Sequence, residues 1–204
     1  MKKIICYGDS NTFGYNPKDG SRFDENIRWT SLLQKYLGVE YEVINEGMCD
    51  RTGFVNNPKG ELFSAPKHFP AFIEKSGHID LLILWIGTND LQFQYNISLS
   101  AIEQGLENLI KLAKTKAKKI IIISPVILNE NILKGVFNSQ FDKTSIVKSR
   151  EVGKIYKNFS DLYNCKLFDI NTIVKPSDID GLHYNSNSHR IIANNLLKYI
   201  SDMK

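Results

Sequence analysis

Lys3-Ile4-Ile5-Cys6-Tyr7-Gly8-Asp9-Ser10-Asn11 decides how this chain of 204 residues folds. A short apolar run rich in isoleucine reads as a buried β-strand, and it stops at a Gly-Asp-Ser turn. Four more strand signals follow, at Tyr41–Asn45, Leu81–Ile86, Lys119–Ser124 and Lys166–Ile170. Between them Trp29–Leu37 and Ser98–Lys114 carry apolar residues at helical spacing, and Ser145–Tyr163 and Ser188–Met203 carry weaker forms of the pattern. Strands alternating with helices imply βαβ units and an α/β fold with a parallel five-stranded sheet. Uninterrupted runs such as Leu81-Leu82-Ile83-Leu84-Trp85-Ile86 suit strands covered on both faces. No repeat, low-complexity tract or linker interrupts the pattern, so residues 1–204 are expected to form one domain.

Composition narrows the function classes. The chain is 42% hydrophobic and 24% charged, with a mild net charge of +4. The one lysine cluster, at Lys114, Lys116, Lys118 and Lys119, joins a helix to a strand and has no aromatic platform beside it, so no nucleic-acid partner is expected. No apolar stretch has the length of a membrane span, and no membrane partner is expected. Three widely spaced cysteines, Cys6, Cys49 and Cys165, read as reduced thiols, the first and last in strands of the core. The first strand begins almost at Met1, which leaves no signal peptide in this sequence and points to a cytoplasmic protein.

In an open α/β sheet, ligands bind at the carboxyl ends of the strands. Ser10 stands at the end of the first strand, where it is a candidate nucleophile, provided that the chain supplies a base. Gly8 would let the backbone turn sharply beside it, and Asp9 would pin that turn by hydrogen bonds. Of the four histidines, His68 and His78 lie in or near an exposed helical segment without a motif, and His189 opens the last helix in an unremarkable context. His183 alone has a carboxylate three residues before it, in Asp180-Gly181-Leu182-His183. Asp180 would hold the imidazole in one tautomer while the other ring nitrogen faces Ser10. Asp178 is a rival for that role. Gly87-Thr88-Asn89-Asp90 directly follows the third strand, where the Asn89 amide suits an oxyanion that develops on a carbonyl oxygen. Backbone N–H groups of Asn45-Glu46-Gly47-Met48-Cys49-Asp50-Arg51-Thr52 offer a further donor. Two long loops, Asn11–Arg28 and Pro125–Lys143, would shape the pocket, with their outer parts as surface excursions.

In this order on successive strand ends, Gly8-Asp9-Ser10, Gly87-Thr88-Asn89-Asp90 and Asp180-Gly181-Leu182-His183 resemble the SGNH (GDSL-like) hydrolase family, from Lys3 to the last helix. The resemblance implies a flavodoxin-like three-layer α/β/α sandwich and a triad of Ser10, His183 and Asp180. It also implies an oxyanion hole of Ser10, Asn89 and one donor from the second block. That donor is usually a glycine five residues after an asparagine; counted from Asn45, the position is Asp50, with Gly47 as the alternative. An aspartate there would oppose the developing charge unless Arg51 or solvent offsets it.

Cys6-Tyr7-Gly8-Asp9-Ser10-Asn11-Thr12-Phe13-Gly14-Tyr15, Arg28-Trp29, Glu46-Gly47 and Arg51-Thr52 are similar to the small arylesterase and acyltransferase-like branch. That implies a small-molecule ester substrate of short acyl chain, some acyl transfer to alcohols or peroxide, no cofactor and no metal. It also implies a homo-oligomer that narrows the pocket. Carbohydrate O-deacetylation and thioester hydrolysis fit the same triad. A metallophosphoesterase would need His and Asp ligands at spacings this chain lacks. A binding module on the same fold is the non-enzymatic alternative.

Overall fold

The computed structural model describes residues 1–203. Five parallel strands form one sheet: β1 (Lys2–Gly8), β2 (Tyr41–Gly47), β3 (Ile79–Trp85), β4 (Ala117–Ile123) and β5 (Lys166–Phe168), in the order β2-β1-β3-β4-β5. The helices are α1 (Ser10–Phe13), α2 (Trp29–Leu37), α3 (Ala65–Lys75), α4 (Leu99–Ala113), α5 (Lys143–Leu162) and α6 (Ser186–Ser201). α2 packs on α6, whereas α3, α4 and α5 pack in a row, which makes the three-layer α/β/α fold. Ile4 to Tyr7, Leu82 to Trp85 and Ile121 to Ile123 are each at most 2% exposed. Strands buried on both faces explain why their sequence is continuously apolar rather than alternating.

The chain leaves β1 for β2 on one side and crosses to β3 on the other. The crevice between the carboxyl ends of β1 and β3 is therefore the topological switch point, the usual ligand site of this strand order. Ser10 and the Gly87–Asp90 block both open onto it.

Several elements differ from their sequence-based expectation. β5 ends at Phe168 rather than Ile170, because the Asp169 side chain accepts the Asn171 N–H and starts a 3₁₀ turn, Ile170–Thr172. The segment after Ser10 begins as the short helix α1 rather than as a loop. Helix α3 carries Pro66 in its first turn and Pro70 inside, which masks its helical pattern. Lys118 and Lys119 belong to β4, not to its connection. Pro125–Lys143 is less of an excursion than its length suggests, since Val126, Leu128, Ile132 and Phe141 are buried in the core. Cys6 and Cys165 are buried free thiols, as expected, but Cys165 lies one residue before β5 rather than in a strand; Cys49 is half-buried.

Two glycines let these layers approach one another. A Cβ on Gly8 would lie 2.2 Å from Thr12 Oγ1 and 2.3 Å from the Trp85 carbonyl oxygen. Gly8 therefore serves close packing of α1 and β3 rather than a sharp turn; it is the last residue of an extended strand. A Cβ on Gly47 would lie 2.1 Å from the Phe13 backbone nitrogen, which cannot yield as a side chain can. Gly47→Ala is therefore expected to destabilise the fold by about 1–3 kcal/mol, the usual cost of overpacking, read as a lower urea midpoint with unchanged slope.

Candidate active site

Ser10 is the first residue of α1. β1 stops there because the Asp9 carboxylate caps the helix, accepting the Asn11 N–H at 3.0 Å, while the Asp9 carbonyl accepts those of Thr12 and Phe13. The serine is held rigidly on this turn and is only 7% exposed.

The last block folds into a compact turn. Gly181, at φ 72°, donates its N–H to the Ser177 carbonyl at 2.8 Å, and Ser177 N–H bonds the His183 carbonyl at 2.7 Å. Within it Asp180 Oδ1 accepts the N–H groups of Leu182 and His183, each at 3.0 Å. Asp180 Oδ2 lies 2.7 Å from His183 Nδ1, and His183 Nε2 lies 2.8 Å from Ser10 Oγ. Burial works against the Asp180 charge, but the His183 ring and the two backbone N–H groups outweigh it and hold its carboxyl below the usual range. With Asp180 ionised, Nδ1 carries the proton, and Nε2 is left to accept from the Ser10 hydroxyl. Asp178 is exposed and accepts from Asn131 Nδ2 at 3.3 Å instead. The rings of Tyr15 and Phe137, one from each long loop, stand against the imidazole at centroid distances of 4.1 and 5.4 Å.

The other histidines sit elsewhere. His68 is half-buried rather than exposed, with Nδ1 3.1 Å from the Tyr7 hydroxyl and its ring stacked on Tyr7. His78 is exposed beside Asp80. His189 is buried and far from unremarkable: its Nδ1 accepts the Trp29 N–H at 3.2 Å and so ties α6 to the start of α2. Burial pushes its pKa down to about 3. Among the described residues, no group of three or more His, Cys, Asp or Glu side chains is gathered closely enough to hold a metal ion.

Facing this chain of bonds is the loop after β2. Asp50 adopts φ 62°, the left-handed region in which glycine is at ease, and this accounts for the glycine that the resembled family keeps there. Among the described residues, no protein acceptor is found for the backbone N–H of Asp50 or of Ser10. Gly47 N–H, in contrast, is taken by Asn45 Oδ1 at 2.9 Å. The Asp50 carboxylate is paired with Lys59 Nζ at 2.6 Å, not with Arg51. Asn89 Nδ2 donates one hydrogen to the Arg51 carbonyl at 3.0 Å, which leaves its second N–H for the crevice.

Asp90, to which the sequence reading gave no role, and Arg51, expected there only to offset the Asp50 charge, hold this loop. The Asp90 carboxylate accepts the N–H groups of Gly53, Phe54 and Val55 at 2.6, 2.7 and 3.0 Å. The guanidinium of Arg51 is fully buried, bonds the carbonyls of Gly8, Glu46 and Leu62, and lies over the Tyr7 ring. The sequence signal for either was only its place in the blocks that follow β2 and β3. Beneath the crevice, burial pushes the carboxyl of Asp9 up to about 7 and that of Asp90 up to about 6.

Asp90→Asn is expected to remove the charge from three hydrogen bonds and to present an N–H₂ where only acceptors fit. A stability loss of about 2–4 kcal/mol by urea denaturation at pH 8 is expected; an unchanged midpoint would show that the loop holds without it.

Residues 6–191 match the GDSL-like lipase/acylhydrolase family. No curated sequence matches the chain. Its fold is similar to that of an aryl esterase from M. smegmatis, with 25% identity over all of both chains and a TM-score of 0.91. It is also similar to a carbohydrate acetylesterase family member from Sinorhizobium meliloti, with 26% identity over 100% of this chain and 99% of that one, and a TM-score of 0.90. A lipase/acylhydrolase from Enterococcus faecalis shares the fold at 22% identity, with 100% and 97% of the two chains covered and a TM-score of 0.70. A family match over most of its length and esterase structures that superpose on all of it show that this chain belongs to the GDSL-like lipase/acylhydrolase family, and that it is a carboxylic ester hydrolase of the SGNH fold.

Proposed function

We propose that the chain hydrolyses short-chain, acetyl-type carboxylic esters through an acyl-Ser10 intermediate. The observation that carries this reading is the unbroken chain of hydrogen bonds from Ser10 Oγ to His183 Nε2 and from His183 Nδ1 to Asp180. In the first half-reaction His183 takes the hydroxyl proton as Ser10 Oγ attacks the acyl carbon. The tetrahedral oxyanion is received by the N–H groups of Ser10 and Asp50 and by the side chain of Asn89. Asp50 is favoured over Gly47 here because the Gly47 N–H already has an acceptor. The imidazolium, stabilised by Asp180, then gives its proton to the departing alcohol. Water enters, His183 deprotonates it, and its attack releases the acid and frees Ser10. An alcohol or peroxide in place of that water would give acyl transfer.

The position of the leaving group follows from this chemistry. The alcohol oxygen must reach His183 Nε2, so the alcohol lies beside the rings of Tyr15 and Phe137. A flat aryl group or a pyranose stacks on such a surface, which supports aryl acetates and O-acetylated sugars. An aryl esterase and a carbohydrate acetylesterase among the similar structures support the same two classes. A panel of p-nitrophenyl esters of increasing acyl length, run beside acetylated sugars, separates them; a preference for long acyl chains would overturn the short-chain reading.

Ser10→Ala is expected to abolish hydrolysis without unfolding the chain, since loss of a triad member typically costs on the order of 10⁴–10⁶ in rate. More than a tenth of wild-type activity in a purified sample would remove Ser10 from its role. Asn89→Ala is expected to lower kcat by roughly 10²–10³ with little change in KM; a rise in KM alone would make Asn89 a binding residue.

The two aspartates before His183 give a sharper contrast. Asp180→Asn should leave the fold intact and favour the wrong imidazole tautomer, with a loss of roughly 10⁴ in kcat. Asp178→Asn should cost less than about tenfold, since its carboxylate acts through nothing that touches the imidazole. Equal losses would mean a shared role, and the reverse order would shift the role to Asp178.

A further inference from the structure

We propose that Lys59 is a positioning residue of the oxyanion hole: its ammonium group neutralises and anchors the Asp50 carboxylate, so that a charged residue works where only a backbone N–H is wanted. This rests on the proposed role of the Asp50 N–H.

The reasoning begins with covalent geometry. A carboxylate on Asp50 lies on the order of 6 Å from any oxygen bound to the N–H of the same residue. When that oxygen becomes an anion, repulsion across this distance exceeds thermal energy several-fold at an effective dielectric of about 20. The surroundings add to the problem, since the buried Asp180 carboxylate already stands beside the crevice. Arg51, the neighbour in sequence, gives no relief, because its guanidinium pairs with Glu46 and is otherwise taken by carbonyls.

Lys59 supplies the missing charge from a prepared position. Asn57 is buried, and its Nδ2 donates to the Asp50 carbonyl at 2.8 Å while its Oδ1 accepts the Lys59 N–H at 2.9 Å. One asparagine thus fixes both the left-handed backbone of Asp50 and the backbone that carries the lysine. The Lys59 ammonium then meets Asp50 Oδ2 at 2.6 Å. The pair is open to solvent, with side chains 58% and 35% exposed, so it adds little to folding stability. Its effect belongs to the transition state, where the negative charge appears.

A double-mutant cycle on p-nitrophenyl acetate hydrolysis tests this. Lys59→Met is expected to lower kcat about tenfold, with KM and melting temperature nearly unchanged. The same change placed in an Asp50→Asn background is expected to alter kcat by less than about twofold, because no carboxylate is left to compensate. Lys59→Arg is expected to keep most of the activity. An undiminished kcat in Lys59→Met, or an equal loss in both backgrounds, would overturn the proposal. Ser10→Ala leaves this pair intact and tests the esterase reading by itself, so the two failures appear in different variants.

Discussion

A buried carboxylate that accepts three backbone N–H groups stands behind the geometry of the whole site. Asp90 leaves the end of β3, reaches under the loop that follows β2 and takes the N–H groups of Gly53, Phe54 and Val55. Arg51 holds the same loop from its other end by bonds to the carbonyls of Gly8, Glu46 and Leu62. Irregular backbone at the edge of a core carries many polar groups that must be satisfied. Here two ionic side chains satisfy six backbone groups, four of them outside the strands, and lock the loop to β1, β2 and β3. Asp50, whose N–H meets no protein acceptor among the described residues, sits in the loop held in this way.

The opposite wall follows the same logic on a smaller scale. Asp180 binds the backbone of its own turn through one oxygen and the imidazole through the other. The carboxylate thus fixes the backbone of the turn and the ring of His183 together. A site built in this way needs little rearrangement as charge develops, which is where such preorganised groups act. At the rim stand Tyr15 and Phe137, which come from the long loops and are half-buried.

Departures from the resembled family are informative in the same terms. Glycine suits the left-handed position after β2 because it carries no Cβ and no charge. Asp50 meets both costs with neighbours: Asn57 holds its backbone and Lys59 its carboxylate. Buried His189, close in sequence to His183, ties α6 to α2.

The sequence by itself determined the strands, most of the helices and the short-range part of the site. Apolar runs specify doubly buried strands, and Asp180 is within reach of His183 because three residues of a turn bring them together. Periodicity did not disclose α3, because Pro70 stands in its interior, nor the end of β5, where the Asp169 cap competes with the ladder. Only the tertiary structure decided which distant groups meet. Ser10 and His183 are 173 residues apart, and it is the connection from β5 to α6, running back across the sheet to α6 beside α2, that closes the gap. The same long-range packing set Asn131 against Asp178, gave the Asp50 charge to Lys59 rather than Arg51, and set Asp90 under the loop. Such choices depend on distances between loops on different strands, and local pattern carries no information about those distances.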